Sequence, residues 1–143
     1  MKLTELVPIL QMAVGPVILI SGVGLLLLSM TNRLGRVIDR SRLLAEARRK
    51  ASEKDQRRVT SQLEILSRRA RLVRLAIILA TLSMLLAALL VIVVFLAAAL
   101  RVELGVIVVG LFASCMGALI GSLVVFILDI NLSLAALKLE VSD

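Results

Sequence analysis

VTSQLEILSRRARLVRLAIILATLSMLLAALLVIVVFLAAAL, residues 59 to 100, changes character partway along without changing its period. Val59, Leu63, Leu66, Ala70 and Val73 recur at alternating steps of four and three, the spacing of an apolar helical seam, with charged and polar residues between them. Beyond Arg74 the charges stop, yet Ile77 and Ala80 keep the same phase. One unbroken helix is therefore expected to start among water-facing charges and run on into lipid. Between Arg74 and Arg101 no side chain is charged, a run longer than the roughly 20 residues that cross a hydrocarbon core about 30 Å thick.

Two further stretches are equally free of charge, between Glu5 and Arg33 and between Glu103 and Asp129. Backbone polar groups in such stretches must bond internally, which makes isolated spans helical. A chain of 143 residues that is 60% apolar, with a mean hydropathy of +1.06, does not fit a globule with a wet surface. The fold class is an all-α membrane protein: three transmembrane helices with a cytoplasmic antiparallel helical hairpin between the first and second. The divisions expected are 1–30 for the first span, 31–74 for the hairpin and 75–100 for the second span. A short external loop at 101–104, a third span at 105–130 and a tail at 131–143 complete the chain. The first run is too long for a secretory signal, Glu5 interrupts its basic start, and Arg33 and Arg36 follow it in place of a small-residue cleavage pattern.

Orientation follows from charge. Residues 31 to 75 hold twelve Arg and two Lys against five acids, a net +9 that exceeds the +7 of the whole chain. Such a segment resists translocation and stays cytoplasmic, which puts the N-terminus outside and the C-terminus inside. The expected location is the inner membrane of a bacterium.

The outgoing limb of the hairpin carries a weaker seam at Met30, Leu34, Val37, Ser41, Leu44, Arg48 and Ala51. Because the chain must return to the membrane, a reversal is placed at residues 51–56, where Ser52 and Asp55 resemble a helix N-cap and its acidic first turn. Limbs of about 20 residues would reach roughly 30 Å. Arg33, Arg36, Arg40, Arg68 and Arg69 fall near the expected membrane surface, where anionic headgroups attract basic side chains. Arg48, Arg49, Arg57 and Arg58, with Lys50 and Lys54, form a basic tip. That tip reads either as a solvated end partly neutralised by Glu46, Glu53 and Asp55, or as a docking surface for an acidic cytoplasmic protein. Nucleic acid is not an expected partner, since the hairpin offers no aromatic side chain on which a base could stack.

Histidine is absent and Cys115 is the only cysteine, which excludes an intramolecular disulfide, the usual zinc sites and His-based catalysis. No catalytic residue, metal or cofactor is expected, and the chain does not read as an enzyme.

Gly110, Ser114, Gly117 and Gly121 recur along the third span at steps of four, three and four. Small residues on one face allow close helix approach in lipid, within the subunit or between subunits, and a homo-oligomer is the working expectation. Asp129, at the cytoplasmic edge of that span, is expected to lie level with Arg33 and Arg36 and pair with them. Its functional alternative is a ring of carboxylates at the mouth of an oligomeric pore.

The run SGVGLLLLSMTNRLGRVIDRSRLL, residues 21 to 44, resembles the signature of an uncharacterised bacterial integral-membrane family, a domain of unknown function. The likeness covers nearly the whole chain and implies no activity. It directs attention to Asn32, Arg33, Arg36, Asp39 and Arg40, a polar band at the membrane exit. The topology also resembles, in architecture alone, proton-conducting subunits of the ExbB, TolQ and MotA type, although no acid lies deep within a span here and Thr81 is the polar counterpart. Two functional expectations follow: a homo-oligomeric channel-like or transport-related assembly, or a membrane-anchored scaffold whose basic hairpin recruits an acidic partner or anionic lipid.

Overall fold

The computed structural model describes residues 2–142. Three α-helices follow in chain order: α1, Leu3–Lys50; α2, Glu53–Leu100; and α3, Gly105–Ser142. Each is long and apolar enough to cross a membrane, which makes the chain an all-α, multi-pass membrane protein. α1 and α2 have 48 residues apiece, more than twice the roughly 20 a bilayer requires. Neither helix stops where its apolar run stops. The sequence explains this, because between Gly35 and Gly105 it contains no glycine or proline and is rich in Leu, Ala, Arg and Glu. The helix of α1 also passes through Pro8 and Pro16, and α3 continues through the expected tail to Ser142.

The two connections are built differently. Between α1 and α2 only Ala51 and Ser52 leave the helix. The side-chain amide of Gln56 donates to the carbonyls of Arg48 (3.3 Å) and Ala51 (3.4 Å), satisfying acceptors that the end of α1 leaves open. Ser52 Oγ donates to Asp55 Oδ2 at 3.2 Å, and the Gln56 amide bonds to the Ser52 carbonyl at 2.9 Å. Between α2 and α3, Arg101 takes a left-handed conformation with φ of 53°. The Val102 amide then reaches back to the Ala97 carbonyl at 3.1 Å, the bond of a Schellman C-cap.

The chain divides into two compact units, one of Met1–Leu28 with Ile78–Gly121 and the other of Ser29–Ile77 with Ser122–Asp143. In the first, Ala13, Val23, Ala80, Ser83, Ala87, Leu90 and Cys115 are buried. The α2 members keep steps of three and four, and their small side chains suit close helix packing. Cys115 of α3 meets Ser83 of α2 in a reciprocal exchange: Ser83 Oγ donates to the Cys115 carbonyl at 3.0 Å, and Cys115 Sγ to the Ser83 carbonyl at 3.3 Å.

In the second unit, Met30, Val37, Leu66, Val73, Ala76, Ser122 and Asp129 are buried. Burial is symmetric about the Ala51–Ser52 turn. Met30 and Val73 each lie twenty-one residues from it, Val37 and Leu66 fourteen, and the half-buried Leu44 and Val59 seven. The weak members of the expected seam behave as their chemistry requires. Ser41 is half-buried and turns its hydroxyl back to the Val37 carbonyl at 2.8 Å, and Arg48 is exposed.

Candidate functional site

The second unit encloses one acid. Asp129 of α3 has no exposed side-chain surface, although a lone carboxylate could not remain charged away from water without compensation. Compensation comes from two helices. Arg33 Nε of α1 donates to Asp129 Oδ2 at 2.5 Å, and Arg69 Nε of α2 lies 3.7 Å from Asp129 Oδ1. The second contact is electrostatic only: that nitrogen and that oxygen are both buried and have no hydrogen-bond partner. The Arg33 guanidinium also stands over the Phe126 ring, 5.6 Å from its centroid, a position in which the ring face attracts a cation. The side chain of Arg33 retains 28% exposure and that of Arg69 14%.

Sequence reasoning anticipated Arg33 as a partner of Asp129. Arg36, paired with it in that expectation, is exposed, and Arg69 takes the second place. Arg40, Arg48, Arg49, Arg57, Arg58 and Arg68 are exposed as well. Arg68 lines a shallow hollow on α2 with Glu64, Ser67 and Arg71. In α3, Gly110, Ser114 and Gly117 are exposed, and Ser114 Oγ bonds to the Gly110 carbonyl at 2.8 Å. Only Gly121 of that face packs within the chain, where an added Cβ would stand 3.4 Å from Leu79 Cδ1.

The face of α3 that the chain buries is polar instead, made of Cys115, Ser122 and Asp129 at successive steps of seven. Each meets a residue of α2, and those residues are also seven apart: Ser83, Ala76 and Arg69. Ser122 Oγ donates to the Ala76 carbonyl at 2.7 Å. The signal was available as Cys115, Ser122 and Asp129 repeating every seven positions along α3, beside the competing Gly110 and Ser114. Among the described residues no three Cys, Asp or Glu side chains converge to hold a metal ion.

No curated protein and no solved structure matches the chain. A family model described as "Protein of unknown function (DUF2721)" matches residues 13–139, a span that takes in the buried cluster, the turn and most of all three helices. The chain belongs to this DUF2721 family of unknown function.

Proposed function

We propose that the protein is a membrane-anchored scaffold of the bacterial inner membrane, whose residues 31–74 form an antiparallel hairpin on the cytoplasmic side and recruit an acidic protein partner at the tip. The N-terminus then lies outside and the C-terminus inside, in keeping with the net +9 of residues 31 to 75. The observation that carries the reading is the turn itself. Arg48, Arg49, Lys50, Lys54, Arg57 and Arg58 are all exposed around Ala51–Ser52, opposed by the exposed acids Glu46, Glu53 and Asp55. Six exposed cations around one turn suit a partner recognised by charge, with fast and salt-sensitive association. No catalytic role is part of this reading.

The test is capture of acidic cytoplasmic proteins on nanodiscs carrying the full chain, at low and raised salt. Retention that weakens with salt and is lost when Arg48, Arg49, Arg57 and Arg58 are changed to Gln supports the scaffold. Equal retention by the wild type and this variant overturns it.

A second reading, a homo-oligomeric channel-like or transport-related assembly, draws on Gly110 and Gly117. Both are exposed, and among the described residues nothing lies within 4 Å of a Cβ added at either. The architectural likeness to ExbB, TolQ and MotA belongs to this reading. It ranks second because Asp129 is enclosed and paired in the single chain, and a carboxylate-lined mouth would require that pairing to open on assembly.

A further inference from the structure

The Asp129 cluster holds two guanidinium groups against one carboxylate, which leaves one positive charge in excess. Because Arg33 keeps 28% and Arg69 14% side-chain exposure, that excess is open to an anion approaching from outside. In sequence, Arg33 and Asp129 bound the charge-free runs of α1 and α3, which places the cluster where those spans leave the hydrocarbon. Arg33 is held from two sides, with its Nε on Asp129 Oδ2 at 2.5 Å and its guanidinium over the Phe126 ring. The carboxylate takes the Nε–H, and the terminal amino groups form the opposite edge of the fork. An arginine held in this way loses little freedom when it binds a planar or tetrahedral oxyanion. Arg36, exposed and three residues further along the same helix, adds charge beside it.

We propose that Arg33, with Arg69 behind it, binds the phosphate of an anionic lipid headgroup. Asp129 orients the fork, and the lipid phosphate supplies the second negative charge that the cluster lacks. The site is independent of the partner-docking tip, since it uses a different set of arginines at the other end of residues 31–74.

The experiment compares the full chain in nanodiscs of phosphatidylcholine alone and of phosphatidylcholine mixed with phosphatidylglycerol, counting retained lipids by native mass spectrometry and following thermal unfolding. The wild type is expected to retain phosphatidylglycerol preferentially and to melt at a higher temperature in its presence. Arg33→Lys keeps a cation beside Asp129 but removes the fork. It should unfold like the wild type in phosphatidylcholine and lose about tenfold in lipid preference, the scale of one lost bidentate pair. Where Arg33→Lys fails to fold, Arg33→Gln, in which Asp129 keeps Arg69 as its partner, should fold and show the same loss. An unchanged preference in either variant overturns the site. So does equal stabilisation of the wild type by inorganic phosphate in phosphatidylcholine discs, which would assign it to a soluble anion. Neutralising Arg48, Arg49, Arg57 and Arg58 should leave the preference intact, and its loss there would overturn the assignment to Arg33 while leaving the docking reading standing.

Discussion

Arg33 Nε and Asp129 Oδ2 are 2.5 Å apart although 96 positions separate the two residues in the chain. With Arg69 on the other oxygen, one carboxylate ties together residues of α1, α2 and α3. The three members of the cluster are not equivalent, because the single anion serves both cations whereas either cation can be lost with the other remaining.

Asp129→Ala should therefore be the most damaging change in the cluster. It leaves Arg33 and Arg69 facing each other without a counter-charge; removal of one side of a fully buried pair costs about 3–5 kcal/mol, and the cost here is smaller because Arg33 and Arg69 keep 28% and 14% exposure. Arg33→Gln should cost less, since Arg69 needs to move only from 3.7 Å to hydrogen-bonding distance to take over the carboxylate. Unfolding both variants in mild detergent, with helix content as the readout, checks the order. An Asp129→Ala protein as stable as Arg33→Gln would mean the anion is not the shared element.

Much of this architecture was legible before any coordinates, and the reasons are physical. Charge-free runs define spans because charged side chains are expensive in lipid, and a reversal within residues 51–56 was demanded by the need to re-enter the membrane. The turn falls at Ala51–Ser52, at the start of the window set by Ser52 and Asp55, although Gln56 supplies the bonds that finish α1. That contribution is illegible in sequence, since a glutamine four residues into a helix has no fixed meaning. The α3 interface was harder to read because in lipid two signals compete. Glycines mark close approach, and polar side chains mark hydrogen bonds between helices. Gly110 and Gly117 drew attention, yet Cys115, Ser122 and Asp129 make the contacts within the chain.

The Ser83–Cys115 exchange should show measurable coupling. Both side chains are buried, and Ser83 Oγ lies 3.4 Å from Cys115 Sγ, so truncating either one removes the other's side-chain neighbour as well as its own bond to the partner's backbone carbonyl. A double-mutant cycle of Ser83→Ala and Cys115→Ala is expected to give about 0.6–1.7 kcal/mol, the range for side-chain bonds between helices in lipid. Strict additivity of the two changes would indicate that each side chain contributes only its own bond to the partner's backbone carbonyl. Because Cys115 is the only cysteine, maleimide labelling of the Ser83→Ala protein offers a second readout. Faster modification than in the wild type is the expected result.

Arg101 has the only positive φ among the described non-glycine residues. A side chain in the left-handed region costs roughly 1 kcal/mol through its Cβ, a cost that glycine avoids. Arg101→Gly should accordingly stabilise the protein, by up to about 0.6 kcal/mol once the entropy glycine adds to the unfolded chain is subtracted. Arg101→Val, branched at Cβ, should destabilise it. Comparing unfolding midpoints of the two variants tests the sign, and a glycine variant less stable than wild type would show that the arginine side chain contributes more than its backbone costs.

The exposed glycines of α3 separate folding from assembly. Gly110 and Gly117 are exposed, a Cβ added at either has nothing within 4 Å among the described residues, and glycine is a poor helix former, by about 1 kcal/mol relative to alanine. Gly117→Leu should thus leave the monomer at least as stable as the wild type. If a second copy packs its helix against this face, the same leucine would hold the two backbones apart and dissolve the assembly, because close approach is what small residues permit in lipid. Mass by light scattering in mild detergent, read alongside thermal unfolding, distinguishes the effects. A fall in mass with unchanged unfolding places the subunit interface on α3. An unchanged mass shows that this face of α3 is not a subunit interface and withdraws the support that Gly110 and Gly117 lend to the channel-like reading.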